Sequence, residues 1–127
     1  MKYTTLVLFL SLLVPCAFGK DKDKEPAILN LQGEISDSQC AFNVHSLDRT
    51  HDAMIGKGDF GNDSKSCTRT CVKKMGGLYV LIVKDQVYRL DDQIQPEQFA
   101  GKKVKLSGTM LDAKTQTLHV LSIEALR

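Results

Sequence analysis

Residues 37–77 carry three cysteines and two histidines but no sustained apolar period, and they separate a first strand-like segment from four more. Connections inside compact domains usually run about 4–6 residues, so a connection of this length needs something of its own to order it. Any fold for this chain must therefore close that loop. Cysteine and histidine form disulfides, bind soft metals and carry redox chemistry, which puts the means of closure in Cys40, His45, His51, Cys67 and Cys71. Gly56, Gly58 and Gly61, with Asn62, Asp63 and Ser64, mark the middle of the segment as irregular loop.

Around this segment the hydrophobic pattern is that of β-structure. From Ile28 to Ser36, Leu29, Leu31, Gly33 and Ile35 alternate with polar residues, the period of a half-buried strand, and Gly33 signals a bulge or close packing. Leu78 to Val83 is a continuous apolar run, and Lys84-Asp85-Gln86 separates it from Val87 to Leu90, as in a hairpin. Lys102 to Met110 and Thr117 to Ala125 predict two further strands joined by a polar turn. Between Asp91 and Gly101, Pro96 can open a short helix and Gly101 can close it. Ser66 to Met75, followed by Gly76-Gly77 and carrying Lys73 and Lys74 in its last turn, predicts a helix with a glycine stop. A helix between the third and fourth of five strands is the layout of a small OB-like barrel, here with a long helix-containing insertion (37–77) between strands 1 and 2.

The N-terminus reads as an export signal. Lys2 precedes an apolar core from Thr4 to Val14, and Ala17-Phe18-Gly19 offers small residues at a cleavage point, which makes residues 1–19 the signal and Lys20 the first mature residue. The apolar run is short of the ~20 residues that a membrane-spanning helix needs. A rival reading takes Cys16 as an acylated lipid anchor, but Pro15 stands where a small residue is expected. Residues 20–26 alternate in charge sign and form a flexible leader, leaving 27–127 as one domain. The expected location is the periplasm or outside the cell.

Charge and aromatic content exclude one class of partner. Removing residues 1–19 takes away Lys2 and no acid, leaving 16 basic against 15 acidic residues and a formal charge of +1. Nucleic-acid binders show a basic excess because neutralising phosphates dominates their affinity. Phe42, Phe60, Tyr79, Tyr88 and Phe99 are the aromatics left, with no tryptophan. Tyr79 and Phe99 are expected in plain packing. An envelope protein or a glycan is the expected kind of partner.

Two chemistries can close the insertion. In an oxidising compartment Cys40 can form a disulfide with Cys67 or Cys71, which would leave one odd thiol. Cys67 and Cys71, four apart on a helix, point the same way, a poor geometry for a mutual disulfide but a good one for two ligands of one metal. Cys40, His45, Cys67 and Cys71 then make a Cys₃His set for structural zinc, with His51 a further candidate ligand. Copper is the second ion, since thiolate ligands and the nearby Met54 and Met75 thioethers favour Cu(I). His119, flanked by Leu118 and Val120, is expected to be an ordinary surface or hydrogen-bonded histidine.

A thiol enzyme is the contrasting class: Cys67 near a helix N-terminus could have a lowered pKa, with His45 as its base. The chain lacks a Cys-x-x-Cys pair and an oxyanion-hole motif, so catalysis is not expected. A metal-free module whose disulfide holds a recognition loop is the alternative to the metal site.

The run Ser36-Asp37-Ser38-Gln39-Cys40, then Asn43-Val44-His45-Ser46, His51, Cys67-Thr68, Cys71-Val72, Gly77 and Tyr79-Val80-Leu81, resembles an uncharacterised family of small exported bacterial proteins. The similarity continues through Val87-Tyr88, Phe99 to Val104 and Ser107-Gly108-Thr109. The resemblance implies an OB-like domain without an assigned activity. Many members show Asp-x-x-Cys-Gly followed closely by histidine, whereas this chain has Ala41 after Cys40.

Overall fold

The computed structural model describes residues 25–44, 51–52 and 54–127. The export signal, Cys16, most of the charged leader and His45 lie outside the described residues. The fold is mainly β. Its strands are β1 (Ile28–Asp37), β2 (Tyr79–Val83), β3 (Gln86–Leu90), β4 (Lys103–Asp112) and β5 (Thr117–Ala125). They form a mixed sheet that closes into a ring in the order β1-β2-β3-β5-β4. Every pairing is antiparallel except β3 with β5.

Closure depends on β1 serving two neighbours. Its first part pairs with β4, from Ile28 opposite Thr109 to Glu34 opposite Lys103, and its last part pairs with β2, from Glu34 opposite Ile82 to Asp37 opposite Tyr79. Gly33 sits where the strand changes partner. A side-chain carbon there would collide with the Ile82 carbonyl oxygen, so close packing and not a bulge explains this glycine. The β1–β4 register runs without a break, and the register shifts occur between β4 and β5 instead.

The alternation that identifies the strands also builds the core. Ile35, Leu81, Val104, Leu106 and Leu118 are completely buried inside the ring, with Tyr79 almost so, and Phe99 and Tyr88 pack against them. At about 25 cal/mol per Å² of apolar surface removed from water, this cluster is the main stabilising element of the domain. Pro96 opens a 3₁₀ turn (Gln95–Phe99) that delivers Phe99 to the core between β3 and β4. Tyr79, not Leu78, begins β2, because Ser38 exchanges hydrogen bonds with both backbone groups of Leu78.

Two α-helices lie between β1 and β2: α1 (Ser38–Ala41) and α2 (Ser64–Met75), with a 3₁₀ turn at Gly58–Phe60 between them. α2 starts two residues before the predicted Ser66 because the Asp63 carboxylate accepts the Ser66 amide at 2.7 Å and caps it. It ends at Gly76 in the left-handed conformation, φ 70°. Val72 on α2 packs against the ring's core. Among the described residues no helix is long and apolar enough to cross a membrane.

Candidate metal centre

Three elements bring the sulfurs together. Asp37, the last residue of β1, accepts the Cys40 amide at 2.9 Å through Oδ1, which starts α1 and fixes Cys40 at the ring's edge. On α2, Cys67 and Cys71 are one turn apart and share a face, and that face meets Cys40. The three Sγ atoms lie within 4.8 Å of one another, and none of the three residues is exposed to solvent. Met54, Ile55 and Phe60 pack against them. A tetrahedral zinc with Zn–S near 2.3 Å needs sulfurs about 3.8 Å apart, so modest rotamer shifts let one ion take all three.

Cys40 is bonded to neither Cys67 nor Cys71; all three are free thiols. The structure therefore departs from the disulfide alternative. The three sulfurs lie within 4.8 Å of one another, yet no two of them are bonded.

His51 brings the nitrogen. It is 94 % buried, and its Nε2 lies 3.3 Å from Glu34 Oε1 and 3.3 Å from each of the Ser36 and Thr68 hydroxyls. Its Nδ1 faces the other way, 3.9 Å from Asp37 Oδ2, and among the described residues neither of those two buried atoms has a hydrogen-bond partner of its own, although the Asp37 carboxylate also meets the Cys40 and Cys71 thiols. That distance is too long for a hydrogen bond and short enough for one ion to bridge. With the proton on Nε2, His51 donates to the Glu34 carboxylate and turns the Nδ1 lone pair toward Asp37 and Cys40. A carboxylate behind a ligating histidine is the usual outer support of a metal site. Asp37, Cys40 and His51 offer ligand atoms within 4.8 Å of one another, so Cys40 belongs to both the thiol trio and this mixed set.

The electrostatics favour protonated thiols. Burial first, and then the Asp37 charge, raises the pKa of all three thiols: Cys71 is pushed up to about 12, Cys40 higher, and Cys67 in the same direction. The expectation of a lowered Cys67 pKa is thus overturned. Cys67 lies four residues beyond the capping Asp63, its amide is already bonded to the Asp63 carbonyl, and desolvation outweighs any helix-end effect. Without a reactive thiolate, the nucleophile reading loses its chemistry. Metal binding here must displace thiol protons, and those leave to solvent as thiolate–metal bonds form.

Of the predicted ligands, Cys40, Cys67 and Cys71 come together and His51 meets this trio through Cys40, in a second group with Asp37, while His45 lies outside the described residues. Buried Cys40, Cys67, Cys71 and His51 can hold a metal ion. Met54 packs on the thiols, but Met75 is half-exposed at the end of α2. His119 is remote in role: its Nδ1 pairs with the Asp91 carboxylate on an exposed face. Asp37 and Glu34 are the functional residues that sequence reasoning missed. The signal for Asp37 was its place three before Cys40, the spacing of a helix cap. No family model, curated protein or solved structure matches this chain.

Proposed function

We propose that this chain is an exported, single-domain, OB-like β-barrel whose insertion is held by one thiolate-bound metal ion, on Cys40, Cys67, Cys71 and His51 Nδ1, with Asp37 Oδ2 beside it. The observation that carries this reading is the meeting at Cys40 of three buried thiols with two buried atoms, His51 Nδ1 and Asp37 Oδ2, that have no hydrogen-bond partner of their own among the described residues. Burying such groups unpaired costs free energy that a cation removes. The strand order and the helical turn between β3 and β4 support the OB-like reading.

Zinc is the ion that a closed Cys₃His shell suits best; Cu(I) is its competitor, favoured by sulfur-rich sites and by the Met54 thioether at the cluster. The role is structural or binding, with an envelope protein or glycan as partner, and not catalytic. Protein recovered from its native export compartment should carry one zinc or copper ion per chain by elemental analysis. Denatured without reductant after metal removal, the processed chain should titrate as three thiols. One thiol and no metal would replace this reading with a Cys40 disulfide.

A further inference from the structure

The thiols are sealed from solvent, yet a cation must reach them. Met54, Ile55 and Phe60 pack against them, apolar groups hostile to a hydrated ion. Around His51 the groups are polar: the hydroxyls of Thr68 and Ser36, both fully buried, lie 3.3 Å from its Nε2. Immediately outside these lies a surface cavity of about 360 Å³, lined by Glu34, His51, Asp52, Ser64, Lys84 and Asp85 among others.

We propose that this cavity is the port through which the metal ion that holds the insertion enters and leaves the thiol cluster, from one face of the molecule. The proposal rests on the metal reading above and adds the route. His51 is the one member of the ligand set that also lines the cavity. Its two ring nitrogens connect the two compartments: Nε2 meets Glu34, which is 34 % exposed at the cavity, and Nδ1 meets Asp37, which is wholly buried. Among the described residues three carboxylates, Glu34, Asp52 and Asp85, line the cavity against one ammonium, Lys84. That imbalance concentrates cations at the opening. Carboxylate oxygens also bind an arriving ion weakly enough to surrender it to nitrogen and sulfur further in. The sequence of donors, carboxylate oxygen outside, then His51 Nδ1 and the thiolates inside, is a gradient of rising softness for zinc or Cu(I).

The test follows zinc alone into the apo full-length protein, and out again to a chromophoric chelator, by stopped flow. Asp52 and Asp85 are exposed and lie outside the ligand set, so D52N/D85N should keep one ion per chain. Its loading rate should fall roughly 3- to 10-fold at low ionic strength. That difference should disappear at about 1 M salt, where charges are screened beyond about 3 Å. Ser64→Trp, which places a large side chain in the cavity, should slow loading and release together at unchanged stoichiometry. Loading and release within about twofold of wild type in both variants, with one ion still held, would overturn the port and leave the metal site standing. Wild-type protein that takes up no ion would overturn the site, and the port with it.

Discussion

The strand ring and the insertion are ordered by different physics. The ring buries ten residues in one apolar cluster, from Ile35 on β1 to Ile123 on β5, so ordinary hydrophobic burial suffices. Among the described residues the insertion's own buried cluster is Cys40, Cys67 and Cys71, with Met54, Ile55 and Phe60 partly covering it. Apart from Val72, which docks α2 on the ring's core, the described part of the insertion gathers around its sulfurs. The contrast sets an apolar ring against a sulfur-centred insertion, and the proposed ion would add to the insertion what burial gives the ring.

The largest effect should come from the ring. Leu106→Ala removes a fully buried side chain from the core and should cost about 2–5 kcal/mol in chemical denaturation, weakening ring and insertion together because Val72 docks α2 on that core. A loss below about 1 kcal/mol would mean that the ring is not the self-sufficient part. Cys71→Ser should do the reverse. It removes a metal ligand, and with it up to about 2.7 kcal/mol of ligand stabilisation at a hundredfold excess of ion over Kd, but the loss should be local. Amides of α2 and of residues 38–44 should exchange faster while those of β4 and β5 keep their protection. Uniform loss across both regions would erase the distinction.

How far the sequence revealed this division depends on which contacts are local. Alternation at Leu29, Leu31 and Ile35, and the apolar run at Leu81, encode strands within a few residues, so all five strands were legible to within two residues at their ends. The double pairing of β1 was not, because it is fixed by Thr109 and Ile82, far away in the chain. In the site, the cysteine trio was legible from residue type and from the one-turn spacing of Cys67 and Cys71. Sequence reasoning put His45 ahead of His51 because it lies nearer Cys40 in the chain; no local pattern signals that His51 is brought to Cys40, and His45 lies outside the described residues. Glu34 was invisible as a site residue: on β1 it reads as the polar half of an alternation, and only the fold brings His51 to it.

Glu34 offers a smaller and sharper probe of the insertion. As a positioning residue it holds the Nε2 proton of His51 and aims Nδ1 inward, so Glu34→Gln should weaken zinc binding about 10- to 100-fold in a chelator competition without changing the stoichiometry. Glu34→Asp, which keeps the charge, should recover part of the loss. Equal affinity in Glu34→Gln and wild type would show that His51 is not held through Glu34, and would shift the fourth ligand to Asp37.

The smallest effect tests whether α2 is ordered by its own cap as well as by the cluster. Hydrogen bonds from Ser66, backbone first, hold the Asp63 carboxyl below its ordinary range. A carboxylate whose folded pKa is depressed stabilises the fold at pH values above its unfolded pKa, near 3.9, and that contribution is lost as pH falls through the folded value. Asn caps a helix as well as Asp does but has no proton to take up. The wild-type advantage over Asp63→Asn should therefore shrink between about pH 5 and pH 3, read as the difference in unfolding midpoint. Metal release in acid, as the thiolates regain their protons, affects both proteins alike and cancels in that difference. Parallel profiles would mean that the start of α2 is held by the thiol cluster alone, which would make the insertion depend on its sulfur centre even more completely than the contrast with the ring implies.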